Sequence, residues 1–146
     1  MIHKGVYGVF IDKNRLLVVH KTRGPYINRY DLPGGSIEEG ETLLDALCRE
    51  LQEEIGMMFK IENFLCERNY LIKWSEGQLA HHASYYTVIP DGLLIHQVQA
   101  DDTSGYDLIA LDNLTEKNAS PLVLDVLKNF AGQRTYHHWK VLIKNI

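Results

Sequence analysis

The sequence predicts a fold that combines α-helices with a mixed, mainly antiparallel β-sheet, in the α/β or the α+β class. Three observations support this prediction. Extended apolar segments precede an amphipathic helix, the same order of strands and helix occurs a second time, and hairpin-length turns join the extended segments. With 146 residues and no repeat or linker, the chain is expected to form a single domain over residues 1–146.

Two strands are predicted before the first helix. Residues 3–11 interleave aliphatic and aromatic side chains, and residues 15–21, RLLVVHK, are apolar enough to form a largely buried strand. Residues 12–14 between them have the chemistry of a turn, so we expect the two strands to form a hairpin. Residues 22–30 are expected to form a loop that leads to a short extended piece at residues 30–32.

The first helix is predicted between Thr42 and Gly56. The Thr42 hydroxyl can accept a hydrogen bond from the first turn, and Gly56 supplies the left-handed residue that ends many helices. Aliphatic side chains recur at three- and four-residue steps, which predicts one apolar stripe facing the core. The stripe consists of Leu44, Leu47, Leu51 and Ile55.

Strands are predicted again after this helix. Residues 58–74 have an extended pattern, with Asn63 or a neighbour as the point where the segment could break in two. Residues 79–89 are predicted to form the next strand, which Pro90 ends. Residues 93–98 fit either a short strand or an irregular segment, and the sequence does not decide between them.

The last part of the chain is predicted to contain one more strand and one more helix. Residues 100–105 are expected to form a polar loop and residues 106–111 a strand. Ser120-Pro121 combines an N-cap residue with a first-turn proline, so a second helix should begin there and end at Gly132. Residues 135–143 fit either an edge strand or a segment that lies along the surface.

The composition is typical of a soluble globular protein, with 45% hydrophobic and 23% charged residues. A net charge of −4 argues against a broad surface for a nucleic-acid polymer. The sequence has no apolar run of 18 residues and no signal-peptide pattern, so we expect a cytoplasmic protein without a membrane partner. Cys48 and Cys66 form no CXXC motif and are expected to be two buried thiols in a reducing compartment.

Three carboxylates are close together on the first predicted helix. Glu50, Glu53 and Glu54 lie three and four residues apart, so they should share a face distinct from the apolar stripe. Arg49 is the only cation in that turn, whereas a helix selected for stability alone would pair its glutamates with lysines. Clustered carboxylate oxygens beside a glycine turn suit Mg2+ or Mn2+. The alternative is a solvated acidic face without a ligand.

The segment around these glutamates resembles the Nudix box, the signature of the Nudix hydrolases. Residues 32–57 read LPGGSIEEGETLLDALCRELQEEIGM, in which Gly35, five residues, Glu41, seven residues and REUXEEXGU follow one another, with U an aliphatic residue. The resemblance implies the Nudix fold, an α/β/α sandwich around a mixed sheet. It also implies Mg2+-dependent hydrolysis of the pyrophosphate bond in a nucleoside diphosphate linked to another moiety, by attack of water on phosphorus.

The same resemblance implies roles for individual residues. The metal, Mg2+ with Mn2+ as a substitute, would be held by Gly35 through its carbonyl and by Glu50, Glu53 and Glu54. The implied catalytic residues are Glu50, Glu53, Glu54 and Arg49. The implied supporting residues of the box are Gly34, Glu41 and Gly56, with Glu41 bracing Arg49. The general base is left open between Glu53 and a loop acid such as Asp101 or Asp102, and Glu53 could instead be a solvated bystander.

The substrate is less well defined than the reaction. Lys21 and Arg23 follow the second predicted strand and could bind phosphate, or could be ordinary surface charges. Ser36 stands where triphosphate hydrolases resembling MutT often have lysine, yet a nucleoside triphosphate or modified triphosphate is favoured because the chain is short. The competing hypothesis is a catalytically inactive Nudix-fold module that senses a nucleotide, against which the intact glutamates argue. An exposed edge strand could also pair two chains into a homodimer.

Overall fold

The computed structural model describes residues 2–94, 103–130 and 144–145. Within these residues there are nine β-strands and two α-helices. In chain order the strands are β1 (Ile2–Val9), β2 (Ile11–Asp12), β3 (Arg15–Lys21), β4 (Tyr30–Asp31), β5 (Gly34–Ser36), β6 (Phe59–Trp74), β7 (Gly77–Pro90), β8 (Thr103–Ala110) and β9 (Lys144–Asn145). The helices are α1 (Leu43–Ile55) and α2 (Pro121–Phe130), and a 3-10 turn spans Leu111–Asn113.

The strands form two sheets. The first sheet has the order β5-β1-β7-β6-β9, and the second joins β2, β4 and β8 to β3. In the first sheet β1 runs parallel to β7, while the other neighbouring pairs are antiparallel. The prediction of a mixed, mainly antiparallel arrangement is therefore confirmed. The division into two sheets does not follow from the sequence pattern, because alternation within a strand does not identify its partner.

The predicted hairpin between residues 3–11 and 15–21 is wrong for most of its length. Only the two residues of β2 pair with β3, whereas β1 pairs with β5 and β7. The turn between the segments is as predicted, with Lys13 and Asn14 in the left-handed region at φ 50° and 61°. Because β1 pairs with these strands, it belongs to the first sheet, whereas its neighbours in the sequence, β2 and β3, belong to the second.

The long segment after α1 is one strand with irregularities. β6 pairs with β7, and its register shifts between Ile61 and Asn63 and again between Phe64 and Cys66. The expected break near Asn63 is therefore a bulge, because an antiparallel ladder can absorb an extra residue without ending. The predicted loop at residues 100–105 is wrong for residues 103–105, which belong to β8, and its other residues lie outside the described part.

Two apolar cores lie on opposite faces of the sheets. Successive side chains of a strand project to opposite faces, and β3 illustrates this alternation. Leu17 and Val19 pack in the core that contains the buried side chains of α1, whereas Leu16 and Val18 pack in the core that contains those of α2. The two helices therefore enclose the sheets between them. This arrangement is the α/β/α sandwich that the sequence resemblance implies.

Both helices begin at the predicted caps. The hydroxyls of Thr42 and Ser120 each accept a hydrogen bond from the backbone amide three residues further on, over 3.1 and 3.2 Å. Gly56 follows α1 in the left-handed conformation at φ 81°, as expected for a helix stop. Pro121 is the first residue of α2. The predicted end of this helix at Gly132 lies outside the described residues.

The apolar stripe of α1 differs from the prediction in one position. Leu44 is 46% exposed, so its assignment to the core is wrong. Leu43 packs against the core instead, because it lies one helical turn before Leu47 on the same side of the helix. The other predicted members of the stripe are buried, namely Leu47, Leu51 and Ile55.

Both cysteines lie in the described part of the chain. Cys48 and Cys66 are free and only partly buried, so the expectation of two buried thiols is wrong. Cys48 lies beside Leu47 at the margin of the core-facing stripe, which leaves its side chain half covered. Within the described residues, no helix combines the length and the apolar character that a bilayer span needs.

Candidate active site

A buried hydrogen bond fixes the glycine turn of β5 to helix α1. The amide of Gly34 donates to Glu54 Oε1 over 2.7 Å, and the Glu54 side chain is almost fully buried. Gly34 adopts φ 139°, and a Cβ at this position would lie 2.1 Å from the carbonyl oxygen of Val6. Glycine is therefore needed here, both for the backbone conformation and for the close approach of β5 to β1.

A second contact between the turn and the helix involves Gly35 and Glu50. A Cβ added to Gly35 would lie 2.8 to 2.9 Å from the carboxylate atoms of Glu50. The absence of a side chain at Gly35 thus leaves the space that the Glu50 carboxylate occupies. Two glutamates of α1, one turn apart, therefore approach two consecutive glycines of the turn.

Arg49 connects the acidic groups of this segment. Its Nε and Nη2 donate to the two carboxylate oxygens of Glu41 over 2.8 and 2.9 Å, and Nη2 also donates to the Ser36 carbonyl oxygen over 2.9 Å. Nη1 lies 3.0 Å from Glu50 Oε1 and 3.4 Å from Glu53 Oε1. The hydrogen bond from Arg49 lowers the pKa of Glu41 to about 2, and it raises the pKa of Arg49.

The three glutamates of α1 lie in different environments. The side chain of Glu50 is 16% exposed and that of Glu53 is 54% exposed, whereas Glu54 is 1% exposed. Glu50 and Glu54 both contact the glycine turn, so these two share a face as predicted, and the packing of α1 against β5 buries Glu54. Glu53 is the carboxylate of the three that is most open to solvent.

The donor set around the turn fits a hard divalent cation by its chemistry. Carboxylates of Glu50, Glu53 and Glu54, with the backbone carbonyl of Gly35, are the oxygen ligands that Mg2+ and Mn2+ prefer. The lack of a side chain at Gly35 is the second sign of fit, since it lets the Glu50 carboxylate lie directly beside the glycine turn. Among the described residues, no group of three or more His, Cys, Asp or Glu side chains is already arranged around a cation position. Arg49 instead pairs with two of these glutamates.

A cavity of about 390 Å³ opens beside the glycine turn. Its lining includes Gly34, Gly35 and Glu50, and it also includes Lys21 and Arg23. The structure therefore brings the two cations that the sequence suggests for phosphate binding into the same cavity as part of the box. Much of the remaining lining consists of aromatic and imidazole side chains, namely His3, Tyr7, Tyr26 and His81.

Three of these side chains are joined by hydrogen bonds. His81 Nε2 lies 2.8 Å from the Tyr7 hydroxyl, and His81 Nδ1 lies 2.7 Å from the Tyr26 hydroxyl. Burial lowers the pKa of His81 to about 3, and burial raises the pKa of both tyrosines. All three groups are therefore neutral near pH 7. Because a neutral imidazole has one N–H and one acceptor nitrogen, it donates to one tyrosine and accepts from the other.

The family model of the NUDIX domain matches residues 1–130. The chain belongs to the NUDIX domain family. The matched residues include the glycine turn, helix α1 and all the residues that line the cavity of about 390 Å³. The resemblance carried by the box in the sequence is thereby confirmed over most of the chain.

Curated relatives of this NUDIX domain match shorter segments. An ADP-ribose pyrophosphatase of Methanocaldococcus jannaschii is 35% identical over 60 residues, which is 41% of this chain and 36% of the relative. An 8-oxo-dGTP diphosphatase of Buchnera aphidicola subsp. Schizaphis graminum is 31% identical over 70 residues, which is 47% of this chain and 54% of the relative. The chain thus spans between 36% and 54% of the length of these two relatives.

Solved structures support the NUDIX fold. A MutT NUDIX hydrolase from Burkholderia pseudomallei superposes with a TM-score of 0.73 at 23% identity, covering 89% of this chain and 98% of its own. A NUDIX hydrolase from Nitrosomonas europaea superposes with a TM-score of 0.69 at 21% identity, covering 92% of each chain. At these identities the likeness establishes the fold.

The structure places most of the sequence-predicted site residues of this NUDIX domain together. The box residues that meet around the turn are Gly34, Gly35, Glu41, Arg49, Glu50, Glu53 and Glu54. Lys21 and Arg23 line the adjoining cavity, and Gly56 ends α1 away from it. Asp101 and Asp102 lie outside the described residues, so their candidacy as the general base stays a prediction.

The cavity also contains residues to which the box motif assigns no role. His3, Tyr7, Tyr26 and His81 come from two strands and a loop, and nothing in their spacing links them. The one available signal is the His81-His82 pair in a predicted strand, because alternation requires one of the two to face inwards. The structure shows that His81 is the inward one, whereas His82 lies half exposed, 3.7 Å from Glu67.

Proposed function

We propose that this NUDIX domain hydrolyses the pyrophosphate bond in a nucleoside diphosphate linked to another moiety, with Mg2+ or Mn2+ as cofactor. The observation that carries this proposal is that one carboxylate of the box and two cationic side chains line the same cavity. Glu50 lies against Gly35 in the cavity that Lys21 and Arg23 also line. Hydrolysis of a pyrophosphate needs both, since cationic groups bind its oxygens and carboxylates hold the metal that activates water.

Glu50 and Glu54 would hold the cation, with the carbonyl of Gly35 as a further ligand and Glu53 as the neighbouring carboxylate. The cation, when bound, neutralises the phosphate oxygens and makes the attacking water more acidic. The protein fixes two of these carboxylates in advance. Glu54 accepts the hydrogen bond from Gly34, and Glu50 is confined between Gly35 and the Arg49 guanidinium.

Glu53 is proposed as the general base. A base must accept a proton from water, and Glu53 has the most exposed carboxylate of the three box glutamates. Its link to Arg49 at 3.4 Å is the longest of the hydrogen bonds that this guanidinium makes. Glu53 is therefore less constrained than Glu50, which suits a group that has to approach water. Asp101 and Asp102 remain the competing candidates.

Lys21 and Arg23 are proposed to bind the phosphates. Arg23 can donate two parallel hydrogen bonds to a phosphate, and Lys21 acts as a compact point charge. Arg49 is not suited to the same task, because Glu41 and the Ser36 carbonyl oxygen engage its Nε and Nη2. We assign Arg49 to holding the helix against the box loop, with Glu41 as its partner.

The substrate proposed first is a nucleoside triphosphate or a modified triphosphate. Support comes from the relatives, among which 8-oxo-dGTP diphosphatases recur. A relative named ADP-ribose pyrophosphatase supports the wider class of nucleoside diphosphate derivatives. Both substrate types contain the pyrophosphate group that the cavity cations and the box glutamates would share.

The test is a turnover assay over a nucleotide panel of dGTP, 8-oxo-dGTP and ADP-ribose. Release of nucleoside monophosphate should occur with Mg2+ or Mn2+, stop when EDTA is in excess, and return when the metal is restored. Binding of these nucleotides without any cleavage would support the sensing module in place of the hydrolase. Full turnover in excess EDTA would contradict the metal mechanism.

A further inference from the structure

His81 joins two walls of the cavity that come from distant parts of the chain. Tyr7 stands on β1, where its register partner across the ladder is Gly34 of the glycine turn. Tyr26 stands in the loop of residues 22–29 between β3 and β4. His81, on β7, makes hydrogen bonds of 2.8 and 2.7 Å to the two tyrosine hydroxyls. The side chain of His81 therefore spans from beneath the turn to the loop.

Tyr26 attaches the loop of residues 22–29 to this wall, and at the end of the loop the Arg29 side chain donates to the carbonyl oxygens of Glu116 and Ala119 over 2.7 and 2.9 Å. The structure describes the whole loop, and Tyr26 is the one buried residue in it. Backbone hydrogen bonds close the base of the loop, from Lys21 N to Arg29 O and from Asn28 N to Lys21 O. Arg23 lies on the exposed part, three residues before Tyr26. The Tyr26 ring also stacks on the His81 ring, with 5.9 Å between centroids and 22° between planes.

We propose that His81 is a positioning residue that, through Tyr26, holds the Arg23 segment at a fixed place opposite the glycine turn. This inference rests on the proposed function, in which Arg23 and Lys21 bind the phosphates of a nucleotide. His81 acts through its two tyrosine partners and has no direct role in the reaction. His81 would thereby set the distance between the Arg23 segment and the carboxylates of the box, which must both reach the same pyrophosphate group.

Tyr7, His81 and Tyr26 form a hydrogen-bonded bridge whose chemistry suits a cavity that binds a polyanion. His81, Tyr7 and Tyr26 carry no charge near pH 7, so the bridge adds neither attraction nor repulsion to that of the cations. Each ring nitrogen is used, so the imidazole cannot turn without breaking a hydrogen bond. Gly5 preserves the arrangement on the β1 side, because a Cβ there would lie 2.5 Å from the Tyr7 hydroxyl.

The first experiment removes one hydroxyl from the bridge. Tyr26→Phe keeps the ring and its stacking, and it breaks only the hydrogen bond to His81 Nδ1. We expect KM for the preferred nucleotide to rise about three- to tenfold, the effect of one buried hydrogen bond, with kcat within about twofold. Amide hydrogen exchange at residues 27–29 should become faster in the free protein, because the loop has lost one of its inner contacts.

A double substitution tests whether the effect passes through Arg23. Arg23→Gln should itself raise KM, since it removes a phosphate contact. If Tyr26 acts by placing Arg23, Tyr26→Phe should have a smaller effect once Arg23 has been replaced. In the Arg23→Gln background it should raise KM by less than about half the factor by which it raises KM in the parent. Additive effects would contradict the proposed route through Arg23.

Tyr85→Phe is the matched control. The Tyr85 hydroxyl is buried and lies 2.6 Å from the Tyr70 hydroxyl, and Tyr85 does not line the cavity, although its ring adjoins that of Tyr7 with 6.2 Å between centroids. This variant also loses a buried hydroxyl, so its stability should fall similarly, but KM and the exchange at residues 27–29 should stay at parent values. An equal rise of KM in both variants, or no rise in Tyr26→Phe, would overturn the positioning role.

A binding measurement separates this inference from the proposed hydrolase function. Calorimetry with a methylene-bridged triphosphate analogue, which the protein cannot cleave, gives an affinity without turnover. If the parent binds the analogue but cleaves no nucleotide, the hydrolase proposal fails while the positioning role is still tested. Weaker analogue binding with faster loop exchange in Tyr26→Phe supports the role of His81, and unchanged values for both contradict it.

Discussion

The amide of Gly34 and the carboxylate of Glu54, twenty residues apart in the chain, form a buried hydrogen bond of 2.7 Å. This bond ties strand β5 to helix α1 at the centre of the box. Because the helix is rigid, fixing Glu54 also fixes Glu50 one turn earlier, where its carboxylate fills the space beside Gly35. The turn and the helix therefore act as one unit, in which two adjacent glycines have different tasks.

Substitution of the two glycines should separate folding from activity. Gly34→Ala places a Cβ 2.1 Å from a backbone oxygen at φ 139°, so we expect a loss of at least about 2 kcal/mol in unfolding free energy. Gly35→Ala meets only the end of the Glu50 side chain, so the fold should persist. Turnover should nevertheless fall at least about tenfold, because the carboxylate is displaced. Thermal unfolding and initial rates measure the two effects.

Gly92→Ala is the control for this pair. No atom lies within 4 Å of a Cβ at Gly92, and its backbone is outside the left-handed region. Both stability and turnover should therefore match the parent. If Gly34→Ala were as stable as the parent, or if Gly35→Ala were fully active, the assignment of separate tasks to the two glycines would fail.

Replacing Glu53 tests the general base. Glu53→Gln removes a largely exposed carboxylate with one long contact to Arg49, so the unfolding temperature should change little. The value of kcat should fall about a hundredfold or more, as is usual when a general base is lost. In the parent, the rate should rise toward alkaline pH because deprotonated water is the proposed nucleophile. A Glu53→Gln enzyme with the parent rate would leave Asp101 and Asp102 as the candidates.

His81 should make the stability of the protein depend on pH. Its folded pKa of about 3 lies below the ordinary 6.5, so the unfolded chain binds the proton first as the pH falls. The contribution of His81 to stability is therefore complete above pH 6.5 and is lost between there and pH 3, by up to about 1.4 kcal/mol per pH unit. Urea unfolding at pH 6.5, 5.5 and 4.5 measures the slope.

Two histidine variants isolate this slope. His81→Gln should flatten the decline between pH 6.5 and 4.5, because the side chain no longer takes up a proton on unfolding. His82→Gln should retain the decline, since His82 projects from the opposite face of the same strand and His81 is still present. Equal slopes for the parent and His81→Gln would show that the buried imidazole does not control acid stability.

The box was predictable because its signals are local. Thr42 and Gly56 mark the ends of α1 by capping chemistry, and the structure confirms both. The spacing of Arg49 from Glu41 places the guanidinium where it can reach back to the loop, and the two side chains form a two-point ion pair. Each of these relationships lies within about 15 residues of chain, where helix geometry determines which side chains can meet.

The rest could not be predicted because it depends on which strands become neighbours. The hairpin expected from adjacent segments gives way to a parallel pairing of β1 with β7, seventy-odd residues apart. That pairing brings Tyr7 to His81, and the loop before the box supplies Tyr26. Leu44 shows the same limit on a smaller scale, because the sequence does not define how wide a face of α1 the sheet covers.

The central claim is that Glu50 and Glu54 form a metal site and are not a solvated acidic surface. Glu50→Gln and Glu54→Gln keep the shape of the side chain, and in Glu54→Gln the new amide oxygen can still accept the hydrogen bond from Gly34. Without metal, each variant should be within about 1 kcal/mol of the parent or slightly more stable, because one of several neighbouring negative charges is gone. Glu62→Gln, at an exposed glutamate on β6, is the matched control.

The most direct measurement pairs the thermal midpoint, with and without millimolar Mg2+, with turnover for the parent and these three variants. The parent and Glu62→Gln should be stabilised by Mg2+, because a ligand that binds only the folded state shifts unfolding by mass action. Glu50→Gln and Glu54→Gln should lose most of that stabilisation and about a hundredfold or more in turnover. If both variants respond to Mg2+ and turn over like the parent, the metal site and the hydrolase function that depends on it are contradicted.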